Sequence, residues 1–250
     1  MKRISLVALC LLVLGGLVLS ACSAGQSSKV RIATNAEFAP FEYVDEQSKE
    51  ITGFDIELIN EIAKRSNIEI EIVNTGFDAM LAGLGQCQYD AAIAAITITE
   101  ERAQAMLFSA PYTVAGQTVV VRKGTTDISG PESLSGKTTG AQIGTTGADE
   151  VSKISGANLK TYDNYQFAFQ DLINGQIDAV VVDNPIAAAF VAKNSDTLEV
   201  IGSVFTSENY GIAVCKTKAD LLKKIDDGLA AMKADGSLQK LEEKWLVPAE

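Results

Sequence analysis

The sequence predicts an α/β protein with largely parallel sheets, built as two lobes of similar construction. Three observations predict it. Strand-like apolar runs alternate with amphipathic helical segments along nearly the whole chain. The composition, 47% hydrophobic and 21% charged, is that of an ordinary globular protein and excludes disorder. Two distant phrases, "LAGLGQCQYDAAIAAIT" and "FQDLINGQIDAVVVDNP", share one grammar: an amphipathic helix, a Gly-containing turn, an Asp, and a buried strand ending in polar residues.

The first 22 residues read as a processing signal outside the fold. Lys2 and Arg3 precede an apolar run from Ile4 to Leu19, short for a membrane span, and small residues lead from it to Cys22. The stretch Leu19-Ser20-Ala21-Cys22 resembles a bacterial lipobox, which implies that Cys22 carries lipid and becomes the mature N-terminus. "SAGQSSK" (23–29) then reads as a short flexible tether. The rest of the chain is long enough to bury the core of one large domain or of two smaller ones.

The formal charge is −11, and two units more negative once Lys2 and Arg3 leave with the signal. Such a chain lacks the basic footprint that nucleic acid requires. It has no histidine, which removes Ser-His-Asp and Cys-His catalysis in their usual forms and the commonest transition-metal ligand; no metal and no cofactor is expected. Besides Cys10 and Cys22 only Cys87 and Cys215 remain, in no zinc-like spacing. One disulfide and two buried thiols are both open to them.

In chain order, "VRIAT" (30–34) is a strand, and "NAEFAPFEY" (35–43) a loop in which Phe38, Phe41 and Tyr43 crowd together. Exposed aromatics are costly without a role, so Phe38 is assigned to a pocket wall and the other two to packing. "FDIELINEIAKRS" is a helix with Phe54, Leu58 and Ile62 on one face beside Ile59 and Ala63. After the strand "IEIEIV" (68–73), Phe77 starts a second helix as another candidate wall. "DAAIAAI" (90–96) is a strand running into Thr97, and Thr99 caps a helix that begins at Glu100. "TVVVRK" (118–123), "DAVVVD" (178–183) and "YGIAV" (210–214) are further strands, and "ADLLKKIDDGLAAMKADGSLQKLEEKW" is helical through Leu222, Ile225, Leu229 and Met232.

Ligands of open α/β sheets bind beyond the carboxyl ends of strands, which singles out Asn35, Thr97 with Arg102, and Asp183. Arg102 is misplaced for its helix: a capping box wants Glu or Gln three residues after Thr99, and a cation in the first turn opposes the macrodipole. Its guanidinium fork suits a carboxylate held by two parallel hydrogen bonds, and Asp183 suits an ammonium. Facing lobes would then grip both charged ends of an α-amino acid, with the Thr97 hydroxyl and backbone groups near Ala94 and Ala95 completing the shell. The bland alternatives are a surface salt bridge for Arg102 and, before Asn184-Pro185, a helix N-cap for Asp183. "GAQIGTTGADE" (140–150) is a glycine-containing turn opening a helix, with Thr145 and Thr146 at its mouth. Backbone N–H groups there favour an anion, and without GxxxxGK[ST] or a basic residue after the glycines a carboxylate fits better than a phosphate.

The segments "ATNAEFAPFEY", "GFDIELINEIA", "DAAIAAITITEERAQAMLFSAPY", "GAQIGTTG", "DAVVVDNP", "YGIAV" and "ADGSLQKLEEKW", in that order, resemble the type II periplasmic (family 3) solute-binding proteins for polar amino acids, the receptors of ABC importers. The resemblance implies the two-lobed periplasmic-binding-protein-like II fold: lobe 1 at 30–111 and 211–250, lobe 2 at 117–205, and hinge strands at 112–116 and 206–210. It implies Arg102 on the α-carboxylate, helped by Thr97 and the Thr145–Thr146 turn, and Asp183 with the carbonyl near Ala95 on the α-ammonium. Phe38 and Phe77 would sandwich the side chain, with Asn35 and Gln142 at its far end. Many relatives have Asp at the position of Asn35 and Gly or Ser at that of Ala95. Asn35 favours a neutral polar side chain, whereas Glu37 and Glu42 supply charge for Lys or Arg, so glutamine-like and basic ligands both stay open.

The function so implied is a monomeric, lipid-anchored receptor, exported to the outer face of the cytoplasmic membrane or the periplasm, that delivers a polar L-amino acid to an ABC permease. The rival is a cyclohexadienyl dehydratase acting on prephenate or arogenate, which the fold also resembles. Its chemistry needs an acid near a leaving hydroxyl, and only Asp183, Glu37 and Glu42 are candidates. An aspartate holding an ammonium is a poor donor. A third reading, a sensory domain, expects a fused membrane or kinase segment after "KWLVPAE".

Overall fold

A computed structural model describes residues 29–246. The leader, the lipobox with Cys22, and nearly all of the tether lie outside the described residues. Lobe 1 begins with β1 (Val30–Thr34), β2 (Glu37–Phe38), β3 (Glu42–Val44), β4 (Ile51–Thr52), α1 (Phe54–Arg65), β5 (Ile70–Asn74), α2 (Phe77–Gly85), β6 (Ala91–Ala92), α3 (Glu100–Ala105) and β7 (Met106–Phe108). Strand β8 (Thr113–Ala115) crosses to lobe 2. That lobe holds β9 (Gln117–Arg122), β10 (Thr138–Gln142), α4 (Thr146–Lys153), β11 (Asn158–Tyr162), α5 (Tyr165–Ile173), β12 (Ala179–Asp183), α6 (Asn184–Lys193) and β13 (Leu198–Ile201). Strand β14 (Glu208–Tyr210) returns to lobe 1, which β15 (Ala213–Cys215), α7 (Ala219–Ala234) and α8 (Ser237–Trp245) complete.

Each lobe has a five-stranded sheet, ordered β5-β1-β6-β15-β7 and β11-β10-β12-β9-β13. The grammar shared by the two phrases is thus a shared topology. In each sheet the first three strands run parallel, and the strand entered from the crossover, β15 or β9, runs against both neighbours. The reversal has its cause in the point of entry: Gln117 pairs with Asp183 and Ala213 with Ala92, so the chain enters each sheet at the carboxyl end of its parallel strands. The two crossings pair with each other, Thr113 opposite Tyr210 and Ala115 opposite Glu208, as one antiparallel ribbon.

Helix α1 buries Phe54, Leu58, Ile59, Ile62 and Ala63, the stripe read from its periodicity. Each large side chain so buried contributes roughly 1.5–3 kcal/mol before ordering entropy is subtracted. Two runs read as single strands break near the lobe interface. In "DAAIAAI" only Ala91–Ala92 is strand, and three residues further on Ala95 takes φ 47°, in the left-handed region. "YGIAV" divides into β14 and β15 at Gly211, where a Cβ would meet the Ile98 side chain at 2.8 Å. "NAEFAPFEY" is not a loop throughout, since β2 and β3 pair Phe38 with Glu42. The C-terminal helical segment breaks at Gly236 (φ 74°), and Leu221, rather than Leu222, joins Ile225, Leu229 and Met232 in the core. Cys87, just past α2, and Cys215, at the end of β15, form a disulfide with Cα atoms 5.1 Å apart, which excludes the two-thiol alternative.

Candidate functional site

The carboxyl ends of β6, β10 and β12 converge on a cavity between the lobes. Phe38, Phe77, Ala94, Ala95, Thr97 and Arg102 line it from lobe 1, and Gln142, Thr145, Thr146 and Asp183 from lobe 2. Every one of these was singled out in the sequence. Asn35 alone stands back from the wall, buried behind Gln142, whose Nε2 donates to its Oδ1 at 3.0 Å.

Thr99 caps α3 by accepting the Arg102 N–H at 3.1 Å. The guanidinium then turns back on itself: Nη1 donates to the Thr97 carbonyl at 2.8 Å, Nη2 to the Gly144 carbonyl of the other lobe at 2.9 Å, and the group lies 5.6 Å from the Phe77 ring centre. A surface salt bridge is therefore not its role. Burial draws its pKa down from the ordinary value while Asp149, Asp183 and Glu208 draw it back, and an arginine stays cationic throughout. More than half of its five N–H donors remain unspent.

Asp183 occupies the N-cap position of α6 but makes no side-chain cap bond. Its Oδ1 accepts from Gln117 Nε2 at 2.6 Å and its Oδ2 from the Tyr210 hydroxyl. Burial, then the nearby Glu208, pushes its carboxyl up to about 6 against the pull of Tyr210, Gln117 and Arg102. Thr145 does cap α4: its Oγ1 accepts from the Ala148 N–H at 3.3 Å and donates to the Gln142 carbonyl at 2.7 Å. The Gln142 side chain spends both amide protons, on Asn35 Oδ1 and, at 2.9 Å, on the Asp163 carbonyl. Because both partners are acceptors, the amide has one consistent orientation, with Oε1 left as an unspent acceptor.

Sequence reasoning missed the polar groups behind this wall. Glu208, on the ribbon, accepts from the hydroxyls of Thr97 at 2.6 Å and Thr146 at 2.9 Å with one oxygen, and from Thr206 Oγ1 at 2.9 Å and Gln117 Nε2 at 3.2 Å with the other. It ties lobe 1 to lobe 2. A hydroxyl has one proton, so Thr97 and Thr146 face the cavity with lone pairs only. The available signal was a carboxylate inside a segment read as a crossover strand. Asp55 was legible too, because its helical spacing puts it on the stripe of Leu58, Ile59 and Ile62. It is fully buried and accepts the Ala95 N–H at 2.8 Å and the Tyr112 hydroxyl at 2.9 Å. Glu42, expected to supply charge for a basic ligand, is fully buried and interacts with Asp55 instead; the β2–β3 pairing turns it inward, away from the cavity wall. Glu37 is half-buried, 3.5 Å from Asn35 Nδ2.

The lobes are closed on each other through Asn35 and Gln142, Arg102 and Gly144, and the edge-to-face pair of Phe38 and Tyr165, whose ring centres are 5.2 Å apart. Among the described residues no group of three or more His, Cys, Asp or Glu is placed to hold a metal ion.

A family model for bacterial extracellular solute-binding proteins, family 3, matches residues 30–248. The chain is 36% identical over 242 residues to the L-cystine-binding protein TcyJ of Escherichia coli K12, covering 94% of this chain and 91% of that protein. Among solved structures it is similar to an ancestral arginine-binding protein bound to arginine, with TM-score 0.84 and 41% identity over 88% of this chain and 98% of the other. It is also similar to an ancestral arginine-binding protein bound to glutamine, with TM-score 0.83 and 42% identity over 87% and 97% of the two chains.

Proposed function

The chain belongs to the bacterial extracellular solute-binding proteins, family 3, and from that premise we propose an exported, lipid-anchored receptor that captures a polar L-amino acid and hands it to an ABC permease. It is a binding protein and not an enzyme, so the dehydratase alternative falls. One observation carries the ligand class. The cavity wall bears one cation, Arg102, and one acid, Asp183, and no other formal charge. A zwitterion matches both, whereas a ligand with a single charge would leave the other buried and uncompensated.

In this reading the unspent donors of Arg102 take the α-carboxylate, with N–H groups of Thr97 and of the first turn of α4, which lack intrahelical partners. The Thr97 and Thr146 hydroxyls do not donate to it, since Glu208 has their protons. Asp183 and the Ala95 carbonyl take the ammonium, and Phe38 and Phe77 bracket the side chain. At the far end, Gln142 Oε1 with Asn35 behind it asks for an N–H or O–H donor. An amide, guanidinium, imidazole or ammonium meets that demand and a carboxylate does not. The β8–β14 ribbon serves as the hinge, between lobe 1 at 30–111 with 211–250 and lobe 2 at 117–205, in a monomer whose anchor is lipid on Cys22.

Titration calorimetry of the mature protein with glutamine, arginine, lysine, histidine and glutamate tests the reading. Binding of at least one amide or cationic amino acid at micromolar Kd, roughly −8 kcal/mol, is expected, with no heat from glutamate. No binding by any of the five sinks it. For the anchor, Cys22→Ser should move the exported protein out of the membrane fraction.

A further inference from the structure

Two carboxyl groups lie fully buried beside the Ala94–Ala95 wall, with no cation among the described residues bonded to either. Neither Glu42 oxygen nor Asp55 Oδ1 meets an N–H or O–H group among the described residues. Two ionised carboxylates cannot share such a site. Burial and the adjacent Asp55 hold the Glu42 carboxyl well above the carboxylate range. The other oxygen of Asp55 does two things at once. It accepts the Ala95 N–H at 2.8 Å, and Ala95 sits at φ 47°, a conformation that a non-glycine residue holds only when its surroundings fix it. It also accepts the hydroxyl of Tyr112, whose N–H donates to the Tyr210 carbonyl at the end of the ribbon at 3.0 Å. Tyr210 in turn bonds Asp183.

We propose that Asp55, with Glu42 packed behind it, is a positioning residue for ligand capture. It holds Ala95 in its left-handed turn so that the Ala95 carbonyl serves the ligand ammonium, and it ties that wall to the ribbon on which the lobes close. The proposal rests on the amino-acid-binding reading above and adds to it a determinant of affinity that never meets the ligand.

The test is calorimetry, with the best ligand of the five-member panel, on wild type, Asp55→Leu, Ala95→Gly and the double variant, with a thermal melt of each. Leucine is near the size of aspartate and accepts no hydrogen bond, whereas asparagine would keep an oxygen for both Ala95 and Tyr112. Wild type that binds nothing removes the amino-acid-binding reading and this proposal with it. Given wild-type binding, Asp55→Leu is expected to weaken affinity at least tenfold, about 1.4 kcal/mol. Ala95→Gly in that background should recover most of the loss, because glycine adopts positive φ unaided. Wild-type affinity in Asp55→Leu overturns the proposal. So does a loss that Ala95→Gly leaves in place, which marks a merely structural carboxylate. Where Asp55→Leu does not fold, Tyr112→Phe, which deletes one hydroxyl, decides instead: at least threefold weaker binding supports the link to the ribbon, and unchanged binding overturns it. Glu42→Gln, which keeps the shape of the side chain without its charge, should lose less affinity than Asp55→Leu, and a larger loss overturns the leading role of Asp55.

Discussion

Arg102 of lobe 1 donates to the Gly144 carbonyl of lobe 2 at 2.9 Å, from a helix of only six residues. The sequence reads Arg102 as opposing the dipole of a longer helix, but in one this short its first-turn position is also in the last turn, where a cation suits the dipole. A half-buried guanidinium bonded to carbonyls rather than carboxylates keeps its full charge for an incoming anion. Arg102→Ala should therefore weaken amino-acid binding more than a hundredfold in calorimetry, in line with roughly 2–5 kcal/mol for truncating one partner of a buried charge pair. Arg102→Lys, which keeps the charge but loses the fork, should fall between that variant and wild type. A folded Arg102→Ala protein with near-normal affinity would refute the role.

Glu208 makes a different kind of prediction, because it touches both lobes through hydroxyls and contributes most when they are shut. Glu208→Gln exchanges two acceptor oxygens for one acceptor and one donor, and the new donor faces hydroxyls and an amide that are already donating. The closed form should lose about tenfold in population, seen mainly as faster ligand release in stopped-flow fluorescence. An unchanged release rate would mean that these bonds do not report on closure.

Asp183 sets a pH window. Only its ionised form pairs with an ammonium, and its carboxyl is pushed up to about 6. Bound ammonium lowers that value, so binding releases a proton near pH 6. Affinity should be flat above about pH 7 and weaken by up to tenfold per unit as the pH falls below 6. Stability of the protein alone moves the other way: a raised carboxyl pKa makes the ionised form costly, and that cost is relieved as the pH falls from about 7 towards 4. Calorimetry in two buffers of different ionisation heat reads both Kd and proton release; constant affinity down to pH 5 would contradict the pairing.

How much of this was legible obeys a physical line. Residues whose signal is local were readable: the α1 stripe, the Thr99 cap, and polar residues just past the carboxyl ends of strands, where an open α/β sheet must put its site. Asp183 shows the limit. Its position at a helix start is equally that of an N-cap, and only the Tyr210 and Gln117 bonds, from residues remote in sequence, tell the two apart. Glu42 was misassigned because its direction depends on pairing with Phe38, and two short strands carry too little period to show which face turns inward. Glu208 was overlooked because its partners come from both lobes, a convergence that no spacing along one element encodes.

The Cys87–Cys215 disulfide pins the end of α2 to the reversed strand β15 across 128 positions of sequence. Closing so long a loop restricts the unfolded chain, for which roughly 2–4 kcal/mol is typical. Reduction, or Cys87→Ser with Cys215→Ser, should lower the Tm in scanning calorimetry by roughly 5–15 °C. Neither cysteine lines the cavity, so ligand affinity below the melt should hold within about twofold. An unchanged Tm would remove the bridge from the account of stability.

Asn35 decides the last question, the side chain that the receptor prefers. Its Nδ2 donates to the Thr75 carbonyl at 3.2 Å and lies 3.5 Å from Glu37 Oε2, while its Oδ1 takes the Gln142 amide, so amides meet the ligand at the far end with one carboxylate behind them. Asn35→Asp replaces the donor with a second anionic oxygen facing a carbonyl. It places a negative charge one residue behind Gln142 Oε1, where the tip of a long cationic side chain would end. At an effective dielectric near 20, unit charges about 4 Å apart interact by about 4 kcal/mol. Desolvation of the new carboxylate and the lost Thr75 bond oppose that gain. The balance should still raise the preference for arginine or lysine over glutamine at least tenfold, chiefly by weakening glutamine. Paired titrations of wild type and Asn35→Asp with arginine and glutamine measure that ratio. A ratio that does not move would mean that Asn35 only supports Gln142, and that selectivity lies with the aromatic walls.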